Sequence, residues 1–222
     1  MNTWLRASAA DDQRRFETLR ELLVNRRVLD FGCGAGGFLD MARDIAAEVA
    51  GVELERRVRE HWRGKLRLHE SLAAAGGGYD VITAFHVLEH LRDPKATLRE
   101  LAGSLKPAGR LVVEVPSSAD VLLTLYDCDA FQRFSYWSEH LFLFNAETLR
   151  RVAVQAGLTV LSVSQYQRFP LSNHLYWLSR GLPGGHREWA FLDTPELSAG
   201  YAATLGAAGA CDTLIAHLTV GP

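Results

Sequence analysis

The chain has 222 residues, 48% of them hydrophobic and 23% charged, which suits one α/β domain with a large core and room for a cap. A net charge of −2 leaves no basic footprint for nucleic acid or an anionic membrane, and no apolar run is long enough to span a bilayer. Cys33, Cys128 and Cys211 form neither a zinc spacing nor a disulfide framework, and the charged stretch from Arg6 to Arg15 is unlike a signal peptide, so a cytoplasmic location is expected.

Residues 12–25 carry Phe16, Leu19, Leu22 and Leu23 at helical spacing and predict a helix ahead of the first strand. Strand one follows at 27–31, then a glycine loop and a helix over about 36–47. Val49–Glu53 reads as strand two, 54–63 as a helix, Leu66–His69 as strand three and Ala73–Gly78 as a small-residue loop. Tyr79–Phe85 gives strand four, Pro94–Leu105 a helix capped by Asp93, Lys106–Gly109 a turn and Arg110–Val115 strand five. The rhythm breaks over 117–140, an aromatic insert, and returns with a helix at Ala146–Gly157. Strand six is Leu158–Val163 and strand seven Thr213–Val220; the span between them is too long for an ordinary connection and predicts a lid over 164–212. Alternating strands and helices imply a doubly wound, mostly parallel sheet with right-handed crossovers.

The junction after strand one carries the clearest chemistry. Val28-Leu29-Asp30-Phe31 ends in a loop, 32–37, in which four of six residues are glycine. Glycine there lets the chain turn sharply and lets a ligand reach the main chain. Gly32, Gly34 and Gly37 fit the dinucleotide spacing, but Asp30 stands where its carboxylate would face a pyrophosphate. An acid at that point suits a cationic ligand, such as the ammonium and sulfonium of S-adenosylmethionine. Glu53 lies 21 residues beyond Gly32, the distance at which an acid meets a ribose.

Five stretches in order resemble class I S-adenosylmethionine-dependent methyltransferases: Val28–Gly37, Val49–Glu53, Tyr79–Ile82, Val87–Pro94 and Leu105–Leu111. The block from Asn145 to Leu158 is similar to that family's last helix and strand. The resemblance implies a seven-stranded sheet in the order 3-2-1-4-5-7-6, with strand seven antiparallel and helices on both faces. It also implies S-adenosylmethionine as cofactor. Asp30, Gly32 and Gly34 would hold its methionine part and Glu53 both ribose hydroxyls. Ser71 or Leu72 would border the adenine, and the Phe85 carbonyl would meet the ammonium. The whole chain is expected to form one such domain, 1–222, with a cofactor-binding core at 27–163.

Methyl transfer needs alignment above all, and needs a base only when the acceptor is a hydroxyl or a C–H acid. His140, in the run Tyr136 to Phe142, is the expected base; its alternative role is to hold a loop by hydrogen bonding. His86, Glu89 and His90 share one face of a helical turn, an arrangement that can ligate metal. Ubiquinone-type O-methyltransferases look similar here, yet Leu-Glu-His-Leu recurs in relatives without metal, and no metal is assigned. The lid's aromatic and basic residues, among them Tyr166, Arg168, Phe169, Trp177 and His186, suit a sugar, nucleotide sugar or similar small acceptor. The expected activity is O-methylation of such a metabolite, with C- or N-methylation, an NAD(P) oxidoreductase and a non-catalytic relative as the alternatives. Partners beyond a small molecule are not called for, and a homodimer stays open.

Overall fold

The computed structural model describes residues 1–137 and 139–221. One sheet holds β1 (Arg27–Phe31), β2 (Glu48–Val52), β3 (Arg67–His69), β4 (Tyr79–Phe85), β5 (Leu105–Pro116), β6 (Leu158–Tyr166) and β7 (Thr213–Val220). Its order is β3-β2-β1-β4-β5-β7-β6, the first five strands parallel and β7 antiparallel between β5 and β6, as expected from the sequence.

Successive strand residues face opposite sides, and both sides are covered, so the central strands are apolar throughout. Val28, Val81 and Val112 pack under α1 (Asn2–Leu23), α2 (Gly37–Ala42) and α3 (Arg56–His61). Leu29, Ile82 and Leu111 face α4 (Leu72–Ala75) and α5 (Pro94–Ser104) together with the later helix Ala146–Gln155. Beyond β5 come α6 (Asp129–Trp137) and that helix, α7; the lid adds α8 (Leu171–Arg180), α9 (Gly185–Glu188) and α10 (Pro195–Ala208). Among the described residues no helix is long and apolar enough to cross a membrane.

Several boundaries differ from the sequence expectation for local reasons. α2 stops at Ala42 because the chain turns back at once: Ile45 O accepts from Asn25 N, and Ala47 N donates to Arg26 O, feeding β2 early. The expected loop at 73–78 contains α4, whose first turn is capped by Ser71 Oγ on Ala74 N at 3.2 Å. The expected turn at 106–109 is an irregularity within β5: its pairing with β4 jumps from Tyr79↔Leu105 to Val81↔Arg110, with Ala108 left-handed at φ 59°. β6 runs on to Tyr166 because β7 pairs with it that far.

The largest departure is α1, which starts at Asn2 rather than near residue 12. Its buried stripe is Asp12, Arg15, Leu19 and Leu23, apolar near the end and charged where the helix crosses the carboxyl edge of the sheet. Arg15 of that stripe and its neighbour Arg14 are held by Glu114 of β5, which is 1% exposed. Arg14 Nη2 reaches its two oxygens at 2.8 and 3.0 Å, and Arg15 gives Nη2 at 2.6 Å and Nε at 3.2 Å. Burial alone would raise the Glu114 carboxyl; the charge of His86 close by and the hydrogen bonds from the two arginines hold it well below the usual carboxylate range.

Removing one partner of a buried charge cluster leaves the others uncompensated, at a cost of about 3–5 kcal/mol. Glu114→Gln keeps the shape and removes the charge, so urea unfolding should show a loss in that range. A loss under about 0.5 kcal/mol would mean that α1 docks without this contact. Because the folded carboxyl is held below its unfolded value, its contribution is complete above about pH 4.5 and fades as pH falls below that.

Candidate active site

Phe31 ends β1, and the chain enters the loop with Gly32, Gly34 and Gly36 at φ 76°, 52° and 84°. At Gly32 a Cβ would collide with Cγ2 of Val87, so the position admits no side chain. At Gly34 a Cβ would meet nothing within 4 Å, so this face of the loop is open and glycine serves the left-handed turn. Glu53, directly after β2, reaches back to the loop: Oε2 accepts from Gly34 N at 2.9 Å and Oε1 from Glu55 N at 2.8 Å. Each oxygen keeps a further lone pair for a donor.

Asp30 lies beneath this loop rather than on its open face. It is 2% exposed and accepts from Thr83 Oγ1 at 2.7 Å. Burial pushes its carboxyl up to about 7, against the pull of the Thr83 hydrogen bond. Ser71 spends its oxygen on the α4 cap, and the Leu72 side chain leans on the core, which leaves the start of α4 to offer backbone N–H groups. Phe85 ends β4 with its ring edge-on to Phe38 at 5.2 Å and under the Arg15 guanidinium at 4.6 Å.

A cleft of about 490 Å³ opens beside the loop. Ala35 and Phe85 border it on the sheet side, Trp4, Asp11 and Arg15 on the α1 side, and His86, Glu89, His90, His140 and Arg168 across from them. The sequence separates His140 from the cluster at 86–90; the fold joins them. Glu89 O accepts from Leu141 N at 2.8 Å and Phe142 N at 3.2 Å, and His90 Nδ1 lies 3.1 Å from Glu139 O. The His90 and His140 rings stand 5.0 Å apart, and one ligand atom each from Glu89, His90 and His140 falls within 4.8 Å of the other two. That set could hold a divalent cation. Ser138, part of the same run, lies outside the described residues.

The neighbouring imidazoles are tuned in opposite senses. Burial lowers the His140 pKa, only partly opposed by the Glu89 charge, so the ring is neutral near pH 7 and able to accept a proton. Burial would also lower His86, but Glu114 and Glu89 win and raise it. His86 Nδ1 lies 3.3 Å from Glu89 Oε1; Nε2 lies 3.2 Å from Glu114 Oε1, off the hydrogen-bond axis, so that contact is an ion pair. Glu89 is fully buried, and among the described residues its Oε2 has no hydrogen-bond partner.

Sequence reasoning missed the α1 wall; Arg168, read there as one of the lid's basic residues, lines this cleft. Arg168 pairs with Asp11 through Nε at 2.9 Å and through Nη2, and Asp212 fixes its backbone N at 3.0 and 3.1 Å. A signal for the wall was present: Ser8, Asp12 and Arg15 continue the spacing of Leu19 and Leu23, and charges on a core stripe call for buried partners.

A methyltransferase domain model matches residues 1–163. The ubiquinone biosynthesis O-methyltransferase of Bordetella avium is 32% identical over 111 residues, covering 43% of this chain and 46% of that protein. The Aeromonas salmonicida enzyme of the same name is 27% identical over 169 residues, 68% of this chain and 70% of that one. The chain thus spans about half the length of the first relative and more of the second. Among solved structures, a SAM-dependent methyltransferase from Archaeoglobus fulgidus superposes with a TM-score of 0.58 at 18% identity, covering 93% of each chain, a likeness of fold. With the sheet order and the glycine loop, these matches assign the chain to the methyltransferase domain family, class I enzymes that take S-adenosylmethionine as cofactor.

Proposed function

We propose that this chain moves the methyl group of S-adenosylmethionine to a hydroxyl of a small-molecule acceptor, with His140 as the base. The observation that carries this reading is the neutral His140 in a cleft bordered by Ala35 of the glycine loop and by Phe85. The relatives' names speak for oxygen as the acceptor atom and favour a metabolite other than a sugar, although a sugar or nucleotide sugar also carries a suitable hydroxyl. The domain is read as one unit, 27–163 for the cofactor and 164–212 as the lid.

The residues present fit the cofactor. Gly34 leaves open space at the loop, Glu53 has a spare lone pair on each oxygen for the two ribose hydroxyls, and Asp30 supplies an acid under the loop. Gly32 and Gly34 would take the methionine part, the Phe85 carbonyl its ammonium, and Ser71 or the Leu72 backbone the adenine edge. When bound, the cofactor supplies a methyl on an activated sulfur leaving group. His140 would take the acceptor's proton as oxygen attacks, while Glu89 keeps its ring close to His90 and the α1 wall excludes water. A divalent cation on Glu89, His90 and His140 is the second reading, favoured by the unpartnered Glu89 oxygen; it would acidify the hydroxyl instead.

Glu53→Ala should weaken S-adenosylhomocysteine binding by about 10²–10⁴-fold in calorimetry, since two hydrogen bonds to a charged group are lost at roughly 1.5–3 kcal/mol each. A change below threefold would remove Glu53 from the ribose. A bound cation favours ionised Asp30, so S-adenosylmethionine should bind more tightly as pH rises from 6 to 8, and Asp30→Asn should flatten that slope. An unchanged slope in the variant would separate Asp30 from the ligand. In a screen of hydroxylated metabolites, His140→Ala should lower kcat by about 10²–10⁴-fold and abolish its dependence on a group titrating below the ordinary imidazole range. Wild-type turnover lost on chelation and restored by a divalent ion would instead establish the metal reading.

A further inference from the structure

A second cavity, apart from the cleft, lies where the 117–140 insert meets the lid. It measures about 140 Å³ and lies between α6 and α8. Phe131 and Phe134 of α6, Trp177 of α8 and Phe169 give it aromatic walls. Trp177 is 4% exposed, and its ring stands 5.2 Å from each of the two α6 phenylalanines. Phe134 is half-exposed and marks the mouth. An apolar cavity of roughly 150 Å³ accepts one six-membered ring.

One wall breaks the apolar pattern. Asp120 lines the cavity and is 3% exposed. Among the described residues it accepts a single hydrogen bond, Leu122 N to Oδ1 at 2.8 Å, and Oδ2 has none. A buried carboxyl short of partners is costly, and a donor from a ligand removes that cost. Burial, with a further push from Asp212, raises the group to about 7, so no strong cationic partner is close. Arg187 also lines the cavity, which disfavours a cationic ligand.

We propose that this cavity is a ligand site for a neutral aromatic or heteroaromatic ring bearing a hydroxyl or N–H donor, the ring held by Trp177 and Phe131 and the donor by Asp120. It shares no lining residue with the cleft, yet one turn joins the two: Arg168 lines the cleft and Phe169 the cavity. Asp212 accepts from both backbone N–H groups, at 3.0 and 2.9 Å, so a ring seated against Phe169 bears on the turn that carries the cleft's arginine. The site stands whether or not the chain transfers methyl groups.

The test is an NMR titration of the tryptophan indole N–H signals with p-cresol, and with toluene as the same ring lacking a donor. Trp177→Phe identifies the signal to follow, and S-adenosylhomocysteine in a separate titration reports on the cleft independently. p-Cresol is expected to shift the Trp177 signal saturably, at least tenfold more tightly than toluene, with and without S-adenosylhomocysteine. Asp120→Ala should erase the preference for p-cresol. Should that variant fold poorly, Phe134→Ala, at the half-exposed mouth, is expected to weaken both ligands while keeping the preference. No shift at Trp177 up to the solubility of p-cresol, equal affinity for the two rings, or a preference that survives Asp120→Ala would overturn the proposal.

Discussion

A carboxylate shut away from water at the end of β5 fixes the position of α1, and the cleft takes its shape from α1. Leu19 and Leu23 give that helix an apolar footing, which by itself tolerates sliding and rotation. The hydrogen bonds of Arg14 and Arg15 to Glu114 are directional and shielded from water, so they set register as well as attachment. Charges removed from water are costly apart and strongly attractive together, and only a narrow range of geometries satisfies them all. The wall formed by Trp4, Asp11 and Arg15 stands where it does as a result.

The same cluster sets the chemistry of its neighbours. His86 is drawn to its charged form by two acids, which leaves Glu89 with a cation on one side and His140 on the other. His140, at the rim, has burial as its main influence and stays neutral. Two histidines in one cleft are thus shifted in opposite senses through position alone. Asp30, deeper under the loop, is an acid held near neutrality by burial, a poor state for an isolated carboxyl and a suitable one beside a positively charged ligand.

What could be read in advance divides along the range of the forces involved. The glycine loop was legible because its demand is local: Gly32, Gly34 and Gly36 all take left-handed backbone conformations. The strands were legible as apolar runs, and Thr213–Val220 matches to the residue. The first ten residues of α1 were harder to read, since they hold few large apolar residues and their inward face continues through Ser8 into Asp12 and Arg15, whose buried partners lie far off in sequence. The union of His140 with the turn at 88–90 was equally hidden, because backbone hydrogen bonds from Leu141 and Phe142 to Glu89 make it. α4 escaped notice because four residues are too few to show a period.

The place of β7 has a consequence for assembly. It fills the gap between β5 and β6, pairing Arg110 with Thr219 on one side and Thr159 with Thr219 on the other. Until residues 213–220 are synthesised, both neighbours present bare backbone edges, one to each side of an empty slot. Such edges invite pairing with other chains. During translation this sheet is therefore completed from within, by a late strand inserted between earlier ones, and its period of greatest vulnerability on the ribosome is the interval in which the lid is being made.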